Sequence, residues 1–101
     1  RELAKEDLMA GVKGGMGAVM GCVSTATVDR ELKPGEHTLV LEWNIQPDGS
    51  VADPHMVGPN YLMATSMPDC FARGMLNWRF AASAAGAPVR NFPFGPFTIK
   101  D

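Results

Sequence analysis

Between Glu2 and about Ala26, apolar side chains recur at Leu8, Val12, Met16, Val19 and Val23. Steps of four, four, three and four follow one face of an α-helix, so the pattern predicts a first helix over 2–26. Gly11, Gly14, Gly15, Gly17 and Gly21 interrupt it. Each glycine costs up to about 1 kcal/mol of helix propensity relative to alanine, which makes this helix dependent on tertiary packing. Their structural use is close approach to a sheet or a second helix. A phosphate-cradling loop would need a preceding strand and a Lys followed by Ser or Thr, and the segment has neither.

After Lys33-Pro34-Gly35 the period changes to two. Leu39, Leu41, Trp43 and Ile45 alternate with Thr38, Val40, Glu42 and Asn44, the pattern of a half-buried strand. Gln46-Pro47-Asp48-Gly49 has turn chemistry: Pro presets φ, Asp bonds its own backbone and Gly takes positive φ. A hairpin therefore returns through Ser50 to about Val57, and Pro54, which has no N–H, puts that strand at an edge. A loop follows through Gly58, Pro59 and Asn60. Ser66-Met67-Pro68-Asp69 then starts a second helix, with Ser66 as cap, Pro68 where no donor is needed and Asp69 at the positive end. Phe71, Met75 and Trp78 carry this helix to about Trp78. Small residues from Ala81 to Pro88 make a loop, and Val89 to Ile99, with Pro93 and Pro96 inside it, is a third strand, also at an edge. The simplest layered solution is an α+β fold, a three-stranded antiparallel sheet with two helices packed on one face. The other face, carrying Thr38, Val40, Glu42 and Asn44, stays open.

A length of 101 residues fits one domain, spanning 1–101. With 46% hydrophobic and 20% charged residues the chain has the composition of a folded protein. Nine Lys+Arg against eleven Asp+Glu, without a basic run, exclude nucleic acid as the expected partner. No apolar stretch approaches the ~20 residues that cross a bilayer, and a start at Arg1 without a signal-type segment suggests a domain excised from a longer protein.

Cys22 lies late in the first predicted helix and Cys70 early in the second. Both helices cover the same sheet face, so the two can meet. A disulfide there would stabilise the fold by roughly 4 kcal/mol on the chain-entropy model and imply an oxidising compartment. Two separate buried thiols in a cytosolic protein are the alternative. Together with His37 and His55 the cysteines lack metal-ligand spacing, having neither C-x-x-C nor H-x-x-x-H. The pairs Met16/Met20 and Met63/Met67 suit core filling better than copper. Ser24, Ser50, Ser66 and Ser83 lie in no nucleophile turn, and Glu2, Glu6, Asp7, Glu31 and Glu36 belong to solvated surface. The expectation is a protein without catalytic activity, cofactor, metal or small-molecule substrate.

Three segments in order, Trp43-Asn44-Ile45-Gln46-Pro47-Asp48-Gly49-Ser50-Val51, Trp78-Arg79-Phe80 and Phe92-Pro93-Phe94, resemble the TonB C-terminal domain. With Cys22 before the first strand and Cys70 in the second helix, the chain is most similar to the AgmX/PglI C-terminal branch of myxobacterial gliding-motility proteins, over about Leu8 to Ile99. The resemblance implies the same α+β fold, in a periplasmic domain of an inner-membrane-anchored protein. It also implies a part in an envelope-spanning, energy-transducing machine that docks an outer-membrane or periplasmic protein by strand addition. On this chain the docking border would be Val89, Arg90, Asn91, Phe92 and Phe94, with Trp43, Gly49, Trp78 and Phe80 structural. Ala81 stands where the family usually has Pro. Pro93 and Pro96 remove donors from the border, leaving Val89 to Asn91 as the stretch whose every amide can pair. Phe92, Phe94 and Phe97 either dock a partner or belong to the core. The alternative function is a structural assembly module that packs through its open sheet face without strand addition.

Overall fold

The computed structural model describes residues 1–100. In chain order it contains α1 (Lys5–Val28), β1 (Gly35–Ile45), β2 (Val51–Val57), the single turn α2 (Asn60–Met63), α3 (Met67–Met75) and β3 (Ala87–Ile99). The fold is α+β: the strands form one antiparallel sheet in the order β2-β1-β3, with helices packed on it. β1 is central, and the two proline-containing strands are the edges. Leu39, Leu41, Trp43 and Ile45 of β1 are buried with Val12, Val19 and Cys22 of α1 and Phe71 and Met75 of α3. The period-two and period-3.6 patterns meet in one core.

Local details depart from the sequence expectations at α3. Ser66 has helical backbone angles (φ −73°, ψ −9°) and does not cap α3. Its N–H and hydroxyl are instead donated to the Glu31 carboxylate at 2.8 and 2.6 Å, while the Thr65 hydroxyl accepts from the Met67 N–H at 3.1 Å. α3 also ends three residues before Trp78. Asn77 N–H donates to Gly74 O and Trp78 N–H to Met75 O, tight i→i−3 bonds that close the last turn. α2 falls where only a loop was expected, and it buries Leu62 completely.

Trp78, just past the helix, lies against the backbone of α1 and donates its indole N–H to Gly15 O at 2.8 Å. A Cβ on Gly15 would overlap that indole, and one on Gly11 would overlap the Phe80 ring. Thus two of the α1 glycines allow aromatic rings to approach the helix. Gly14, Gly17 and Gly21 border open space, and nothing in the structure explains them. Gly49 has φ +91°, and its carbonyl accepts from the Phe80 N–H at 2.9 Å. A side chain there would overlap the Phe80 carbonyl, so Gly49 is needed both for the turn and for seating the segment after α3.

Both edge strands are irregular. The register against β1 slips by one residue three times: in β2 between Ala52 and His55, and in β3 between Val89 and Phe92 and between Phe94 and Phe97. Each slip contains a residue at positive φ, respectively Asp53 (51°), Asn91 (55°) and Gly95 (113°). Such bulges bend and twist an edge and interrupt its pairing.

Candidate partner-binding site

Cys22 and Cys70 form a disulfide with their Cα atoms 5.7 Å apart, inside the usual bridging range. The bond ties α1 to α3, as their placement on one sheet face predicts. The sulfurs are therefore not thiolate ligands. His37 is buried, with Nε2 2.7 Å from the Lys33 carbonyl and Nδ1 2.9 Å from the Tyr61 hydroxyl. A carbonyl only accepts, so Nε2 carries the proton and Nδ1 can accept from Tyr61. His55 sits on β2 opposite Glu42 of the open face.

The residues expected at the docking border are dispersed. Val89 and Phe94 are buried, and Phe94 meets Phe71 edge-on with centroids 5.2 Å apart. Phe92 is half-buried, its ring 5.5 Å from that of Trp43, and Phe97 packs 5.8 Å from Phe94. These phenylalanines belong to the core side of the sheet, the second of the two fates the sequence left open for them. Val89 to Asn91 is also not a free run of backbone. The Asn91 N–H is donated to the Glu42 carboxylate at 3.1 Å, and the Val89 carbonyl accepts from the Arg90 guanidinium at 2.8 Å.

What the sequence did not reveal is a polar network across the open face, organised by those bulges. Glu42, on the central strand, accepts from Asn91 N–H on one side and from His55 Nε2, also at 3.1 Å, on the other. Arg90 donates to Trp43 O at 3.0 Å and to Asn44 Oδ1 at 2.9 Å. His55 Nδ1 lies 3.2 Å from the Asp53 carbonyl, so both of its ring nitrogens face acceptors. The only available signal was the outward placement of Glu42 and Asn44 in the alternation of β1. Their partners sit in bulges, whose register a period of two does not predict.

The Asn91 N–H, and after it the His55 hydrogen bond, hold the Glu42 carboxyl below the ordinary glutamate pKa. Because the folded value is depressed, the contribution of Glu42 to stability is complete above the ordinary glutamate value, and it is lost as pH falls through the depressed one. In a His55→Ala variant the backbone donor remains. Glu42 should therefore still titrate below the ordinary value, only closer to it, when its side-chain carboxyl is followed by carbon NMR. Full return to the ordinary value would mean that the Asn91 N–H contributes nothing.

Compared with protein families, with curated proteins and with solved structures, the chain finds no match.

Proposed function

We propose that this chain is a non-catalytic protein-docking domain of an envelope-spanning motility or TonB-like energy-transducing machine, carried in the periplasm by an inner-membrane-anchored parent protein. Its partner, an outer-membrane or periplasmic protein, meets the open face of the sheet. The observation that carries this choice of surface is the network of Glu42, His55, Arg90, Asn44 and Asn91, which fixes charged and amide groups of all three strands on the face opposite the buried Leu39, Leu41, Trp43 and Ile45. Fixed polar groups favour specific recognition, since less ordering is required on binding. The disulfide supports an oxidising compartment, and the order of the Trp43–Val51, Trp78–Phe80 and Phe92–Phe94 segments supports the machine.

Strand addition along β3 is the second mode, favoured by the fact that β3, 13 residues long, has no neighbour on its outer side among the described residues. Against it stand three prolines without N–H groups, at 88, 93 and 96, together with two bulges. The modes are separable in cells that carry the full-length parent protein, with a photoreactive residue placed at Thr38, at Val40 or, on the far helix, at Met20. Open-face docking predicts cross-links from Thr38 and Val40 and none from Met20. Equal cross-linking from Met20 would overturn it. Strand addition predicts instead that the partner newly protects β3 amides from hydrogen exchange.

A further inference from the structure

Where the end of α1 meets the start of β1 and the end of β3, the surface opens into a cavity of about 480 Å³. Leu32, Pro34 and Ile99 give it apolar walls, and the exposed residues Arg30, Lys33 and Lys100 line it beside them. No carboxylate lines it. Among the described residues the ion pairs are Arg1–Asp7, Arg73–Asp69 and His55–Glu42, so these three cations have no carboxylate partner. The acids that flank them in sequence do not compensate: Glu31 accepts from Ser66 N–H and its hydroxyl, and Asp29 and Glu36 pair with no cation among the described residues.

Arg30 is also held where an arginine is costly. Its N–H donates to Thr27 O at 3.1 Å and that of Glu31 to Ala26 O at 2.9 Å, so α1 is closed by a left-handed cap with Arg30 at φ 59°. Glycine is the usual residue at that position, because a Cβ strains it. Among the described residues every other position at positive φ holds Gly, Asp or Asn, the types that tolerate it. A long charged side chain kept at a strained position points to a use for that side chain.

We infer that this cavity binds an organic phosphate, its phosphate held by Arg30, Lys33 and Lys100 and its apolar substituent resting on Leu32, Pro34 and Ile99. Charge selects the anion: three cations without counter-charges, in a chain of net charge −2, favour a doubly charged group over a single carboxylate. Size and lining select an ester over the bare ion, since about 480 Å³ lies within the range of small-molecule pockets and the walls are apolar. The carbonyl end of α1 offers no N–H to a ligand, so recognition falls to the side chains. The cavity is separate from the open-face network, and its occupancy does not depend on the docking function proposed above.

The test is a titration of the oxidised domain with phenyl phosphate, inorganic phosphate, benzoate and vesicles of phosphatidylglycerol, each followed by amide chemical shifts. Phenyl phosphate should move the amides of Arg30, Leu32, Lys33 and Ile99 to saturation, at lower concentration than inorganic phosphate does. Lys33→Gln should weaken it about two- to five-fold, the range of an exposed ion pair. Arg30→Gly separates binding from folding, because the two effects have opposite signs. Binding should weaken by a similar factor, while the urea midpoint rises as the strained position relaxes. Arg30→Gly binding phenyl phosphate as well as the wild type would overturn the site. Benzoate acting at the same concentration as phenyl phosphate would overturn the choice of phosphate. Saturation by phosphatidylglycerol at lower concentration than by phenyl phosphate would identify the phosphate as a lipid headgroup, and the reverse order as a free ester. No response to any of the four, with a lowered urea midpoint for Lys33→Gln, would overturn the site and assign the cations to the carbonyl end of α1.

Discussion

Removing the Cys22–Cys70 bond in a Cys22→Ala/Cys70→Ala double variant should cost about 4 kcal/mol, measured by urea unfolding of the oxidised wild type and the variant. The bond spans a sequence separation of 48, and the entropy it removes from the unfolded chain grows with the logarithm of that loop. Alanine is the right replacement, because Cys22 is 1% exposed and a serine hydroxyl there would add the cost of an unpaired polar group. Domains are stable by only about 5–15 kcal/mol, so the loss is a large fraction of the total and about 1–11 kcal/mol should remain. For a urea dependence of roughly 1–2 kcal/mol per molar, the midpoint should fall by about 2–4 M. Coincident unfolding curves would show that the unfolded chain is already compact between the two positions.

The second large effect is expected at Trp78. Trp78→Ala should destabilise the domain by about 3–5 kcal/mol, read from the same unfolding curves, because the side chain is 1% exposed and its loss leaves a cavity between α1 and the sheet. Near-normal stability would mean that the indole is not seated on Gly15. The same joint is reached from the other side by Gly15→Ala. Helix propensity alone would make that change favourable by up to about 1 kcal/mol, but the added methyl overlaps the indole, so the net effect should be destabilising. Gly14→Ala, which meets nothing within 4 Å, should be stabilising. The two tryptophans also differ. Trp78 donates to Gly15 O, whereas the buried Trp43 Nε1 has no partner among the described residues. Trp78→Phe removes a hydrogen bond, and Trp43→Phe removes none.

The elements were legible because burial imposes a period on the sequence. Leu39 to Ile45 alternates since one face of β1 meets the helices, and Leu8 to Val23 steps by three and four since one stripe of α1 faces the core. Edge positions could be read from Pro54, Pro93 and Pro96, and the disulfide from two cysteines on elements that share a sheet face. Three features were not legible. Trp78 continues the apolar spacing of α3 although the helix has ended, because a buried side chain obeys the core and not the hydrogen-bond ladder. Ser66 has the residue type of a cap, but Glu31, distant in sequence, takes its donors. The open-face network depends on bulges at Asp53, Asn91 and Gly95, and a local pattern does not say which partner residue a bulged strand skips.

The bond between α1 and α3 also decides how the domain transmits tension. A pull applied at the two ends of the chain passes from Cys22 directly to Cys70, bypassing the hairpin and everything else between them. Up to about 160 Å of extended polypeptide stays in reserve as long as the sulfurs remain joined. A reductant would release that slack, turning a short, stiff link into a long, compliant one.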